Sequence, residues 1–409
     1  MASSDPLLPL IPPSPSLYIH VPFCRSKCRY CDFHSVAGSD ASLQAAVVEE
    51  TLRQLSFFLP DASVVPRTVY VGGGTPSILA RDLLERLLSG VPSGGCPEWT
   101  VEANPESLDG SFLDTVARAG VTRISMGIQS LHDERLRLLG RPAMGRECLR
   151  GLDLLEENWR GEWSCDLISG IPGQEPEELA SDLHEILGFE PGHVSLYSLT
   201  VEEGTELERL VHSGRLRTNP AEKDEELWFL GKELLESAGY ERYEVSNFSL
   251  PGRRCLHNMA YWNLEPYLGL GPGAVSTLPG PGGRVLRVTQ TRDFSEFLKG
   301  RDALWGMEVE EVSPKDFLME TLLMGLRLRD GIPRKGFAGR FGLSFEDAFP
   351  GLLSEWIRQG WAMEDPVFLR LTESGGLRLN RLLSRLRESL EKAAAGIRLR
   401  WPLTSDFPV

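Results

Sequence analysis

The sequence predicts an α/β protein in which six βα units curl a parallel sheet into a full or partial barrel, followed by a smaller, mainly helical unit. Three observations point there. Short β-branched or aromatic runs alternate with amphipathic helical stretches through the first half of the chain. Successive strand–helix–strand crossovers share one hand, so a run of them bends the sheet round on itself. Glycine and polar residues gather just after the strands, the edge where barrel proteins carry their sites.

Taken in order, residues 1–16 are rich in Pro and Ser, with Asp5 and no Lys or Arg. They read as a flexible leading segment. They lack the basic start of a secretory signal and the Arg-rich pattern of a mitochondrial presequence, so the expected location is cytoplasmic. Strands are expected at 17–20, 68–71, 99–102, 121–126, 163–168 and 193–198, with helices at 41–59, 78–88, 111–119 and 176–187 between them. The barrel is expected to span 17–245. Residues 246–312 read as a connecting segment carrying a hairpin, 275–278 against 284–288, turned by Pro279-Gly280-Pro281-Gly282-Gly283. Residues 313–409 read as a helical domain with a winged-helix outline. From Ser313 to Thr372 eight basic residues balance eight acidic ones, so a nucleic-acid footprint is missing. In the last helix Leu379, Leu382, Leu383, Leu386 and Leu390 share one face and read as core, with peripheral membrane contact through the flanking arginines as the alternative.

Composition narrows the function further. The 409 residues hold 43 Lys and Arg against 58 Asp and Glu, a net charge of −15, which makes the chain a poor candidate for general phosphate-backbone binding. No apolar run reaches the roughly 18–20 residues of a membrane span. Seven cysteines, three of them within eight residues, suggest a metal site in a reducing compartment rather than a disulfide framework.

Those three are Cys24-Arg25-Ser26-Lys27-Cys28-Arg29-Tyr30-Cys31, directly after the first expected strand. Thiolates select zinc, Cu(I) or iron–sulfur clusters. A zinc ion needs a fourth donor, for which Asp32, His34 and His20 are the candidates. Alternatively, three thiolates satisfy three irons of a [4Fe–4S] cube and leave the fourth iron open.

The Cys-x3-Cys-x2-Cys spacing resembles the radical S-adenosylmethionine (SAM) superfamily, and the Tyr18-x-His20-x-Pro22-Phe23-Cys24 opening resembles its anaerobic coproporphyrinogen III oxidase branch. The resemblance implies a partial (β/α)6 barrel with a [4Fe–4S] cluster on Cys24, Cys28 and Cys31 and SAM on the open iron. It implies that Gly73, Gly74 and Thr75 meet the methionine part of SAM and that Tyr30 lies against the adenine. Tyr18, Glu102, Gln129, Arg141 and Asp166 match further SAM contacts. The branch holds an oxygen-independent porphyrinogen oxidase and a haem-chaperone type. Phe33 stands where the oxidase has a fourth Cys, and His257-Asn258-Met259-Ala260-Tyr261-Trp262 resembles the chaperone motif. The expected reading is a chaperone that binds haem and passes it to an acceptor, with oxidative decarboxylation of a porphyrinogen as the alternative.

His257, Asn258, Tyr261 and Trp262 are then the candidate haem residues, with Cys255 as the alternative iron ligand if residues 255–262 are extended. Asn258 is expected to orient the imidazole or bond a propionate, and Arg253 and Arg254 to face the propionates. The implied partners are haem or a porphyrinogen, a haem-accepting, respiratory protein and a low-potential electron donor.

Overall fold

The computed structural model describes residues 11–402, except 62, 93 and 394–396. The leading segment as far as residue 10, and the last two residues expected of the final helix (to 395), lie outside the described residues.

The six expected strands are present: β1 (Ser16–Val21), β2 (Thr68–Gly73), β3 (Trp99–Ala103), β4 (Arg123–Gln129), β5 (Glu162–Ser169) and β6 (His193–Ser198). They pair in sequence order, all parallel, with Tyr18 beside Tyr70, Thr100 beside Arg123, and Asp166 beside Ser195. The strands alternate. Leu17, Ile19, Val69, Val71, Val101, Ile124, Met126, Leu167, Val194 and Leu196 are buried outward against the helices. Residues of all six strands, from Tyr18 to Ser195, line one inner cavity of about 560 Å³, so the sheet wraps round it as a partial barrel.

The segment 246–312 extends the same sheet. Strand β7 (Asn247–Ser249) adds antiparallel to β6, with Glu241–Arg242 at that edge. On the other side β8 (Tyr267–Leu270) lies parallel to β1, followed by β9 (Val275–Pro279), β10 (Val285–Thr289) and β11 (Glu308–Val312), all antiparallel. β9 and β10 form the hairpin that the Pro/Gly turn predicted. The C-terminal helices pack around a second core of Phe317, Phe341, Phe349, Trp356, Leu382 and Leu386. Leu379, Leu382, Leu386 and Leu390 of the last helix (Leu379–Ala393) belong to it, so the leucine stripe faces protein.

Residues 255–262 are not extended. Leu256–Trp262 is a helix with Cys255 at its N-cap, and it is seated across the amino-terminal end of the barrel. The seat is a carboxylate: Glu98, just before β3, accepts from the backbone N–H of Leu256 and of His257, each at 2.9 Å, and from the Cys255 thiol at 3.4 Å. A negative group on unpaired helix N–H donors is favourable twice over, as hydrogen bonds and as a counter-charge. Thr68 at the start of β2 bonds the His257 imidazole, tying this floor to the wall.

Gln129, at the end of β4, has φ of 70° beyond an irregular register at Gly127. A side chain in the left-handed region costs about 1–3 kcal/mol, and here it turns Gln129 into the cavity.

Two stability outcomes follow. Glu98→Ala leaves the N–H groups of Leu256 and the buried His257 without an acceptor and should lose about 1–3 kcal/mol in urea unfolding at equal m-value; a loss under about 0.5 kcal/mol would show that the seat is dispensable. Gln129→Gly relieves the strained backbone and should gain about 1 kcal/mol, read from the same titration, whereas a net loss would mean that φ is not what the side chain costs.

Candidate functional site

Each strand ends at the same rim, and the loops beyond carry the sulfur and carboxylate chemistry. The cysteine loop leaves β1 through a two-residue parallel pairing of Phe23–Cys24 with Val36–Ala37. It is pinned from below by backbone bonds from Arg29 N–H to the Leu139 carbonyl, 2.9 Å, and from Leu207 N–H to the Arg29 carbonyl, 2.8 Å. Cys24, Cys28 and Cys31 are half-buried and all line the cavity. The Thr75 hydroxyl points at Cys24 Sγ, 3.6 Å, and Arg141 Nη1 at Cys28 Sγ, 3.7 Å. Burial pushes the Cys31 thiol up to about 11 and raises that of Cys24. Without a metal these thiols keep their protons, and metal binding releases them.

The zinc donors do not fit. His20 Nε2 donates to the His34 carbonyl at 2.8 Å, so Nδ1 accepts from the Tyr18 hydroxyl at 2.8 Å, and no lone pair is left for a metal. The His34 ring packs between His20 and Phe294, outside the cavity lining. Asp32 does line the cavity but is exposed. Three half-buried thiols on one loop, beside a cavity able to take a small molecule, match a cluster with an open iron and a ligand beneath it.

All nine residues expected at SAM line this cavity. Glu102 accepts from the Tyr70 hydroxyl, 2.8 Å, and from Gly73 N–H, 2.9 Å. Burial pushes its carboxyl up to about 7 in spite of those bonds. Asp166 accepts from Ser125 at 3.2 Å, and burial raises its carboxyl too. Arg141 Nη2 donates to the Gly127 carbonyl, 2.6 Å, and to Asn104, 3.0 Å. The glycines serve the fold as well as any ligand. A Cβ on Gly73 would stand 2.2 Å from the His20 ring, and one on Gly74 would stand 2.6 Å from the Val21 and Phe23 carbonyls. The end of β1 and the start of the cysteine loop occupy that space.

The floor reads differently from the expectation in three respects. First, the helix divides the motif. His257, Asn258 and Tyr261 face the barrel cavity, while Trp262, about 140° round from His257, lines a second cavity of about 260 Å³ with Phe337, Arg340 and Trp401. Second, Asn258 does not orient the imidazole; its amide donates to the Tyr243 hydroxyl at 3.2 Å. His257 is held instead by Thr68 on Nδ1, 2.8 Å, and Tyr261 on Nε2, 3.0 Å, and burial pushes it down to about 3, so it is neutral. Third, Arg253 and Arg254 do not line the barrel cavity: Arg253 pairs with Glu162, and Arg254 with Asp330 and Glu241. Cys255 is buried on Glu98, and burial pushes its thiol up to about 12.

Sequence reasoning missed Glu98, Thr68, Arg123 and His193, which all sit at or just before strand starts and meet at the floor. The alternating polar residues of β4 to β6 were the one available signal of a polar barrel interior.

Comparison with known proteins agrees with this arrangement. The radical SAM superfamily signature matches residues 18–186, and the HemN C-terminal domain signature matches residues 312–378. The chain is 37% identical to the heme chaperone HemW of Escherichia coli over 91% of its own length and 97% of that protein. It is 31% identical to the HemW of Bacillus subtilis over 88% and 96%. The solved structure of the coproporphyrinogen III oxidase HemN of Escherichia coli, a radical SAM enzyme, superposes with a TM-score of 0.76 at 20% identity, covering 92% of this chain and 91% of that one, which shows a common fold. With HemW relatives above 30% identity matched over nearly their whole length, and with the cysteine loop at the head of a partial barrel, the chain belongs to the HemW family of radical SAM proteins, and a [4Fe–4S] cluster and SAM come with that membership.

Proposed function

We propose that the protein is a haem chaperone: it binds haem and passes it to an acceptor protein. The observation that carries this reading is the near-complete match to proteins named heme chaperone HemW, at 37% and 31% identity. Phe33, in the place of the oxidase's fourth Cys, is 62% exposed at the cavity mouth and supports the chaperone over the porphyrinogen oxidase.

In this reading Cys24, Cys28 and Cys31 hold the cluster, Thr75 and Arg141 donate to the Cys24 and Cys28 sulfurs, and Tyr18, Tyr30, Gly73, Gly74, Thr75, Glu102, Gln129, Arg141 and Asp166 hold SAM. A bound [4Fe–4S] cluster supplies a one-electron redox centre with an open iron for SAM. Glu102 accepts a hydroxyl pair or an ammonium only when ionised. His257 is the haem ligand. Its neutral imidazole carries the lone pair that iron needs, and Tyr261 caps that nitrogen until haem displaces it. Cys255, protonated and bonded to Glu98, is the poorer donor. A low-potential electron donor and a respiratory acceptor are the partners, and the cytoplasm is the compartment. Among the described residues no helix is long and apolar enough to cross a membrane.

The test is haem retention by cluster-reconstituted protein after desalting under anaerobic conditions. Wild type should keep stoichiometric haem, His257→Ala should bind it roughly tenfold more weakly, and Tyr261→Phe, which uncaps Nε2, should bind it more tightly. Protoporphyrinogen formation from coproporphyrinogen by the same preparation, with no haem retained, would replace this reading with the oxidase. SAM affinity gives a separate check through Glu102. With its carboxyl at about 7, the ionised fraction rises about tenfold from pH 6 to pH 8, and SAM should tighten by about as much. Glu102→Gln should flatten that profile; an unchanged slope in the variant would take Glu102 out of the SAM site.

A further inference from the structure

Arg123 opens β4 at the barrel floor. It is 4% exposed, lines the cavity, and makes no hydrogen bond or ion pair among the described residues. A guanidinium out of water with no partner is costly, and arginines in such positions are normally paired. Its surroundings offer counter-charge but no contact: Glu98 and Asp166 act on it through space, and neither bonds it among the described residues. The nearby carboxylate, Glu98, has both oxygens engaged by the floor helix. Asp166 stands higher on the wall and is bonded to Ser125. His193 is held neutral by burial and then by the Arg123 charge beside it. The Tyr243 hydroxyl already serves Asn258 and His193. The floor therefore presents a desolvated cation in the same cavity that His257 and Tyr261 line.

Building on the haem reading, we propose that Arg123 is the binding group for a propionate carboxylate of the tetrapyrrole held in the barrel. A planar guanidinium takes a carboxylate through two parallel N–H donors, and shielding from bulk water strengthens the pair. Arg123 thereby takes the role expected of Arg253 and Arg254, whose charges are spent on Glu162, Asp330 and Glu241.

The experiment titrates full-length, cluster-reconstituted protein with haem and with haem dimethyl ester, whose propionates are uncharged, and follows the Soret band. Wild type should bind haem roughly tenfold or more tightly than the ester, and R123Q should bind both alike, at the ester's level. The comparison of the two ligands on wild type does not depend on the variant folding. Equal affinity of wild type for haem and ester overturns the assignment while leaving the haem reading intact, as does an R123Q protein that still prefers haem. Failure of wild type to bind either ligand overturns the haem reading itself, and the assignment with it.

Discussion

The architecture rests on one constraint: a wall a single sheet thick must be apolar toward the helices outside and polar toward the cavity inside. Along β4, Ile124 and Met126 are fully buried outward, while Arg123, Ser125 and Gly127 face inward. β5 repeats this with Cys165 and Leu167 against Ser164 and Asp166. Polar groups taken out of water are costly unless bonded within the protein, and much of the inner wall is accordingly a set of short cross-strand links, Arg123 standing apart from them. Tyr70 serves Glu102 across β2 and β3, and Ser125 joins Ser164 and Asp166 across β4 and β5. These bonds fix the side chains before any ligand arrives, so a ligand meets donors and acceptors already in place. The entropy of ordering them has been met on folding.

Closing the two ends needs different means. At the carboxyl rim the loops are long, and the cysteine loop is pinned by backbone bonds to its neighbours, which leaves three sulfurs half-exposed. At the amino end the strands start abruptly, and a helix of seven residues covers the opening. So short a helix has little stability of its own. The Glu98 carboxylate at its N-terminus and the Thr68 bond to His257 hold it in place, and the same contacts set which of its faces looks into the barrel. That is why one motif serves two cavities, with His257 and Tyr261 inside and Trp262 outside.

What the sequence made legible was local. Strand alternation, the Pro/Gly hairpin and the leucine stripe of the last helix each depend on spacing over a few residues, and each is found in the structure. The crowding of three cysteines after the first strand is likewise a local pattern. The floor was not legible, because barrel closure builds it. Glu98, Thr68, Arg123 and His193 are far apart in the chain, and no spacing rule connects them. Residues 255–262 were open to an extended reading because eight residues carry too few periods to separate a strand from a helix. Gly73 and Gly74 were assigned to the ligand alone, for want of any sign that β1 and its cysteine loop would pass within 2.2–2.6 Å of their missing side chains.

The net charge of −15 looks unsuited to a ligand that bears carboxylates. The conflict disappears once distance is weighed against dielectric. Surface charges act through water and salt, which screen them beyond about 8–10 Å, so the acidic exterior contributes little inside a cavity enclosed by sheet and helices. Contact terms inside are far less screened, and there the cations are placed selectively. Arg141 stands at the cysteines and Arg123 at the floor, both buried. They differ in what occupies them: the Nη groups of Arg141 are spent on Asn104, Gly127 and Cys28, although its Nε has no partner, while Arg123 spends no donor among the described residues. An anion entering this barrel therefore meets a rim whose cation is committed to the protein and a floor whose cation is free. On the proposed assignment, that difference, rather than the sum of charges over the surface, sets the end of the cavity to which a carboxylate is drawn.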